Sequence, residues 1–298
     1  IVINDGSTDE SEEVLSTFEE KYQHLYHSFT PESARYISRK KLALTLGIKA
    51  SKYDWLVFTE ANCQPASNQW LRLMARNFTP HTQIVLGYSG YERGKGWLHK
   101  RISFDALFTS LRYLGFALAG KPYMGLGRNL AYRKEMFFKE KGYSTHLNLQ
   151  RGEDDLFINQ IATPDNTRVE TNSNAVIRMQ PVERYKDWKE EKVSYMATAR
   201  YFKGGQRYFL GFETFSRLLF YAVCTAGIAF GILNFHWLFI WLIRYITQAI
   251  VINKTATEQG DNRRYYFSLP VFDLLQPLQT LKFKLYRFYR GKGDFMRR

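Results

Sequence analysis

Apolar and polar positions in the first sixty residues switch between strand-like and helix-like spacing. Ile1-Val2-Ile3 is a short apolar run closed by Asn4-Asp5-Gly6-Ser7, which reads as a buried strand entering a turn. A helical stretch follows from Ser11 to about Tyr22, with Ser11 placed to cap it and Glu12 and Glu13 suited to its positive end. A second helix fits Lys40 to Ser51, and Trp55-Leu56-Val57-Phe58-Thr59 is again an apolar run of strand length. Strand, helix, helix, strand is the order of an α/β domain with a mainly parallel sheet. Such sheets bind ligands beyond the carboxyl ends of their strands. Two turns lie at those ends: Asn4-Asp5-Gly6 and Glu60-Ala61-Asn62.

Further along, helical patterns cover 68–78 and Trp97 to Leu118, with a strand at Ile84-Val85-Leu86-Gly87 between them. A loop holding Gly125 and Gly127 feeds a short strand through Asn129-Leu130-Ala131-Tyr132. The acidic cluster Glu153-Asp154-Asp155 precedes Phe157, Ile158 and Ile161 at helical spacing, and 184–203 reads as a charged helix. Then the pattern changes. Phe215 to Leu233 and Trp237 to Ile252 are strongly apolar, each interrupted by one arginine, Arg217 and Arg244. A spanning helix needs about 20 apolar residues, so the pair reads either as a membrane hairpin or as two buried helices. The flanks favour the hairpin. Lys192, Arg200, Lys203 and Arg207 precede it, Lys254, Arg263, Arg264, Lys282, Lys284, Arg287, Arg290, Lys292, Arg297 and Arg298 follow it, and the turn between holds no Lys or Arg. That is the positive-inside arrangement with both ends cytoplasmic. Pro270 to Arg290 adds a basic amphipathic stretch suited to the membrane interface. Arg217 is expected to snorkel from a helix end, and Arg244 to face a partner helix or a headgroup.

Composition narrows the function. The 298 residues carry 42 Lys+Arg against 28 Asp+Glu, a net charge of +14, and 16% are aromatic. The aromatic content excludes a disordered chain. Cys63 and Cys224 lie too far apart in sequence for a disulfide scaffold or a cysteine zinc site. The positive charge asks for nucleic acid, anionic lipid or a phosphate-bearing substrate. Nucleic acid drops out because the sequence has neither a recognition helix nor an RNA-binding signature. A domain rarely starts inside a core strand, so an earlier strand is expected upstream of Ile1.

The ordered motifs resemble one family. Ile1 to Ser11, with Asn4-Asp5-Gly6-Ser7-Thr8-Asp9, is similar to the second strand and turn of family 2 glycosyltransferases of the GT-A fold. Lys40-Lys41-Leu42-Ala43-Leu44 resembles their next helix, and Thr59-Glu60-Ala61-Asn62-Cys63-Gln64-Pro65 stands where they carry Thr-Asp-Ala-Asp-Cys-x-Pro. Gly127-Arg128-Asn129-Leu130-Ala131-Tyr132 resembles the acceptor-side loop and strand, and Gly152-Glu153-Asp154-Asp155-Leu156 the segment with the catalytic base. The likeness covers residues 1 to about 205, and the apolar tail is similar to the membrane-bound bacterial branch.

The resemblance implies a mixed, mainly parallel sheet with flanking helices, followed by a helical membrane hairpin. It divides the chain into a GT-A domain (1–208) lacking its first strand, two spans (209–253) and a basic cytoplasmic tail (254–298). It implies an inverting hexosyltransferase at the cytoplasmic face of the inner membrane, acting in envelope polysaccharide synthesis. The partners would be a nucleotide sugar, UDP-linked, a glycan or lipid-linked acceptor, and membrane lipid. Asp154, with Glu153 and Asp155 beside it, would supply the general base, since a positioned carboxylate takes the proton of an attacking hydroxyl. Asp155 is the rival for that role. Asp5, Lys40 and Glu60 would face the donor. Asp5 also reads as the aspartate of an Asp-Gly turn, and Lys40 equally as a solvated helix lysine. Glu60 and Asn62 would hold Mg²⁺ or Mn²⁺, weakened because Asn62 replaces a charged ligand by a neutral one. Gly127, Asn129 and Trp188 would lie on the acceptor side.

One motif departs. Where processive synthases carry Gln-x-x-Arg-Trp, this chain has Glu191, Ser194 and Tyr195. The loss argues against a long-chain polymerase. It also leaves open a second reading, a catalytically weakened relative that binds a nucleotide or glycan within an envelope assembly.

Overall fold

The computed structural model describes residues 1–31, 38–231 and 235–290. Leu233 and the basic residues Lys292, Arg297 and Arg298, which entered the expectations above, lie outside these. The chain opens with β1 (Val2–Asn4), parallel to β2 (His27–Phe29). Ile1 and Val2 are exposed, so the opening run is not the buried strand its composition suggested. Gly6, at φ +78°, lets the chain turn after β1 in a conformation that side chains disfavour. α1 (Ser11–Lys21) begins at Ser11, but Ser11 does not cap it. The Asp9 carboxylate does the holding, accepting the Ser11 N–H at 3.1 Å.

Next come α2 (Arg39–Ala50), β3 (Trp55–Phe58), β4 (Cys63–Pro65), α3 (Trp70–Ala75), β5 (Ile84–Leu86) and β6 (Ser89–Tyr91). The Ser38 hydroxyl caps α2 by accepting the Lys41 N–H. α4 (Gly96–Leu118) leads through a glycine loop to β7 (Leu130–Arg133), which runs without a break into α5 (Lys134–Lys139). α6 (Asp155–Ile161), β8 (Thr167–Val169), β9 (Ile177–Met179) and α7 (Tyr185–Thr198) complete the α/β part. Three long helices follow: α8 (Gln206–Ala229), α9 (Phe235–Glu258) and α10 (Leu269–Arg290).

The central sheet has the order β3-β7-β5-β8, beside a smaller sheet β4-β9-β6. β7 runs antiparallel to both β3 and β5, and β4 runs antiparallel to β9, whereas β5–β8 and β6–β9 are parallel. The sheets are therefore mixed but not mainly parallel. β7 lies between β3 and β5 and runs opposite to both. β5 is buried along its whole length. Around it pack Phe104, Leu107 and Tyr113 of α4 and Phe157 and Ile158 of α6.

The C-terminal helices join this core. Ala249, Ile252 and Ala256 of α9, then Tyr265, Leu269 and Phe272, belong to the same cluster as Ile84 and Leu86. The boundary expected at 253 therefore separates no two cores. α8 starts well before Phe215 and takes in Arg207, Glu213 and Arg217. Among the described residues α9 alone is long and apolar enough to cross a membrane, with mean hydropathy 1.5.

Arg217 departs from expectation, whereas Arg244 faces a partner helix as expected. Arg217 is buried in mid-helix rather than snorkelling from an end. Both arginines turn to Asp273 of α10, at 3.2 Å from Arg217 Nη1 and 2.6 Å from Arg244 Nη2. The Tyr221 hydroxyl and the Gln248 amide also donate to Asp273. Asp273 is only 2% exposed, so the attraction acts with little screening, and losing either sign would leave a costly buried charge. α10 thus points polar groups inward. Val271, Leu274, Leu278, Leu281 and Leu285 line its exposed face.

Candidate active site

Five residues singled out from the sequence meet around one cavity: Lys40, Glu60, Gly127, Glu153 and Asp154. The end of β3 delivers Glu60, the first turn of α2 delivers Lys40, and the loop before β7 delivers Gly127. Asp154 is the N-cap of α6. Its Oδ1 accepts the Asp155 N–H at 2.8 Å and its Oδ2 accepts the Gly127 N–H at 2.9 Å. The Tyr195 hydroxyl lies 3.5 Å from Oδ2. These donors fix the carboxylate's orientation while leaving lone pairs free. Burial first, then the neighbouring Glu153, raises the Asp154 carboxyl above the ordinary 3.8.

Glu60 bridges two cations. Lys40 Nζ donates to Oε1 at 2.6 Å and Arg128 Nε donates to Oε2 at 2.8 Å. Burial opposes the Glu60 charge, but Lys40 and Arg128 outweigh it and hold the carboxyl at about 2. Lys40 Nζ also lies 3.0 Å from the buried Glu153 carboxylate. Burial alone would lower the Lys40 ammonium, and Glu153 and Glu60 more than reverse that, so it stays charged above its usual range. Arg128 makes a second ion pair with Glu191 of α7.

Arg151 approaches from the loop before α6. Its guanidinium stacks over Tyr195, 4.6 Å from the ring centre, and its Nε donates to the Ser194 hydroxyl. Burial works against its charge, while Tyr195, Glu153 and Asp154 favour it and prevail. Among the described residues no carboxylate comes within ion-pair distance of Arg151. It is thus a half-buried cation with charge to spare beside the Asp154 carboxylate.

The remaining expected residues stand elsewhere. Asp155 turns away from the cavity to α7, where the Thr198 hydroxyl meets its Oδ2. Burial and then Asp154 push its carboxyl well above the ordinary range. Asp5 sits outside the cavity wall and accepts from Thr30 Oγ1 at 2.8 Å and Arg39 Nε at 2.9 Å. Two placements correct the sequence reading. Asn129 is not an acceptor contact: its amide donates to the carbonyls of Tyr88 and Ala175 and accepts from the Trp70 indole, all inside the fold. Trp188 is no sugar platform either. It is 1% exposed and packs against Phe283, Tyr185 and Val193, because α10 covers the face of α7 that carries it.

The cavity measures about 30 Å³, room for about one water. That space is too small for a sugar. Glu60 and the exposed Asn62 offer a carboxylate and an amide oxygen, a donor set that suits a hard cation completing its shell with phosphate oxygens and water. Among the described residues no three His, Cys, Asp or Glu form a metal cluster, so the substrate would have to share the ligation. Sequence reasoning missed Arg128 and Arg151. Arg128 stood in a quoted motif, yet its partners are 68 and 63 residues away, beyond any local signal.

A mixed sheet flanked by helices, with carboxylates and cations gathered beyond the ends of its strands, is a GT-A-type glycosyltransferase fold. The chain is similar in structure to the mannosyltransferase PcManGT from Pyrobaculum calidifontis, solved in complex with GDP-Man and Mn²⁺. The TM-score is 0.51 at 18% identity, covering 92% of this chain and 77% of that one. Glucosyl-3-phosphoglycerate synthase from Mycobacterium tuberculosis, in complex with phosphoglyceric acid, gives 0.40 at 17% identity, with 66% of each chain covered. No curated protein matches the sequence. Residues 1–186 match the family described as glycosyl transferase family 2, and the chain belongs to that family.

Proposed function

We propose that the protein is an inverting glycosyltransferase that moves a hexosyl unit from a UDP-linked sugar to a hydroxyl of a glycan or lipid-linked acceptor. The observation that carries this is the Asp154 carboxylate on the cavity wall, oriented by the Gly127 and Asp155 N–H groups and facing Lys40 and Glu60. Asp154 takes the acceptor's proton as its oxygen bonds to the sugar's C1 and the bond from C1 to the diphosphate oxygen breaks. The diphosphate leaves with that electron pair. Lys40, Arg128 and Arg151 meet the growing charge, in surroundings dry enough for such contacts to count. Glu60 and Asn62 would hold a divalent cation, which when bound neutralises the leaving diphosphate. In this reading, placing the diphosphate on Lys40 and Arg128 frees Glu60 from its two ion pairs.

The reading also places the enzyme at the cytoplasmic face of a membrane. The length and hydropathy of α9 support that site, as do the outward apolar faces of α8 and α10. The second reading, a binding relative with little turnover, is favoured by one observation: both Glu60 oxygens are already held by cations of the chain itself. A nucleotide-sugar screen in detergent, with and without Mg²⁺ or Mn²⁺ and followed by nucleotide diphosphate release, separates the two. Release with one donor supports the enzyme. Tight donor binding with no release across the panel would sink it.

A further inference from the structure

A second cavity lies away from the carboxylates. It is a groove of about 750 Å³ between the last turns of α4 and the first turn of α8, within the usual range for small-molecule sites. Leu111 and Phe116 of α4 and Phe209 of α8 give it apolar walls, and Gly115 and Gly205 keep it open, since a Cβ on either would meet nothing within 4 Å. Cations stand at its rim. Arg112 pairs with Glu213 through Nη2, but its Nε is buried with no hydrogen-bond partner. Lys121 also lines the groove. Buried Gln206 Oε1 also has no partner.

The groove is tied to the site. The Asn159 amide donates to the carbonyls of Tyr123 and Lys203 and accepts the Lys203 N–H at 2.7 Å. Asn159 lies on α6, the helix that Asp154 caps. One short helix therefore carries the carboxylate and anchors the chain two residues after Lys121 and two residues before Gly205. Lys121 is six residues before Gly127, a reach of at most about 20 Å. On its other side the groove opens onto Phe209, Phe212 and Phe215, the exposed apolar face of α8.

We propose that this groove seats the apolar chain of a phosphate-bearing lipid, the acceptor class of the transfer reaction, with Arg112 and Lys121 meeting its phosphate. Apolar walls, rim cations and continuity with an exposed apolar helix face select an anionic amphiphile over a peptide or a free sugar phosphate. The inference rests on the transferase reading for the lipid's role, but the binding itself does not. The test measures affinity for farnesyl phosphate in micelles, without donor, against farnesol and inorganic phosphate. Gly115→Phe fills the groove from an open helix position and removes a helix-weakening glycine, so its thermal midpoint should not fall. It should weaken farnesyl phosphate binding by about tenfold or more, and Lys121→Gln should bring the phosphate close to the alcohol. Undiminished binding in folded Gly115→Phe would overturn the proposal. So would inorganic phosphate competing as well as the lipid, or a change in oligomeric state in place of a change in affinity. Groove-dependent lipid binding without transfer from any nucleotide sugar would sustain the groove and refute the transferase.

Discussion

Asp154→Asn separates chemistry from folding, because its two consequences differ in size. In the folded chain both Asp154 oxygens accept backbone N–H groups, at 2.8 and 2.9 Å. Asparagine keeps one oxygen, so one N–H loses its acceptor and faces an amide NH₂, a cost of about 1–3 kcal/mol. An opposing effect reduces it. Burial and Glu153 raise the carboxyl, so its ionised form is disfavoured in the fold, and a neutral amide escapes that penalty. The thermal midpoint should therefore move by a few degrees at most, at roughly 2–4 °C per kcal/mol for a chain of this size. Turnover should fall by about 10²- to 10⁴-fold, the usual contribution of a general base, or about 2.7–5.4 kcal/mol of barrier. The assay is nucleotide diphosphate release at saturating acceptor, with donor affinity measured separately and expected to hold. In the wild type the base must be ionised, so turnover drops as pH falls through the raised carboxyl, and the acid limb should sit above 3.8. Folded Asp154→Asn with turnover within about threefold of wild type would refute the assignment. Asp155→Asn would then be next, although its carboxyl faces Thr198 and its loss should chiefly lower stability.

Arg151→Gln should weaken donor binding by about tenfold or more, as expected when a charge-assisted contact of about 1.5–3 kcal/mol is lost. Arg151→Lys should not rescue it, since the stack on Tyr195 needs a planar guanidinium; full rescue would show that charge alone matters. Buried Lys41 donates to the carbonyls of His146 and Leu149, and burial brings its ammonium down to about 8. Its folded value lies below its unfolded 10.5, so its contribution is present above 10.5 and lost as pH falls through 8. The stability of wild type relative to Lys41→Met should therefore grow between these pH values, by up to about 3 kcal/mol; a flat difference in denaturation midpoints would contradict this. Asn62→Asp should tighten divalent-ion dependence of the transfer rate, and an unchanged metal titration would remove Asn62 from the ligand set.

The long elements were legible because their periodicity repeats. α4 and α10 fall within a residue of their expected bounds, α7 ends five residues early and α9 six residues late, and β3, β5 and β7 are the apolar runs that the sequence displays. β2, β4, β6, β8 and β9 escaped notice. Each has three residues, too few for an alternation to show, and they become strands only because a partner strand supplies the hydrogen bonds. The acidic cluster and the Glu60 turn were visible as local motifs. The Arg128 bridge from Glu60 to Glu191 was not, since it joins three separate segments. Trp188 misled for a related reason: a tryptophan on a charged helix looks available until α10 is seen to cover it.

The meeting of Arg217 and Arg244 at Asp273 bears on the order in which the chain can be completed. Synthesis proceeds from the N-terminus, so before Asp273 exists Arg217 has only Glu213 of its own helix to pair with, and Arg244 lacks its ion-pair partner. The bundle of α8, α9 and α10 cannot close until α10 arrives and supplies Asp273, the carboxylate that the two arginines share. A chain ended before Leu269 should consequently be retained by quality control or degraded, even though residues 1–186 of its family domain are intact. α10 then serves as a completion signal, which makes that helix a poor place for shortening and a sensitive one for monitoring assembly.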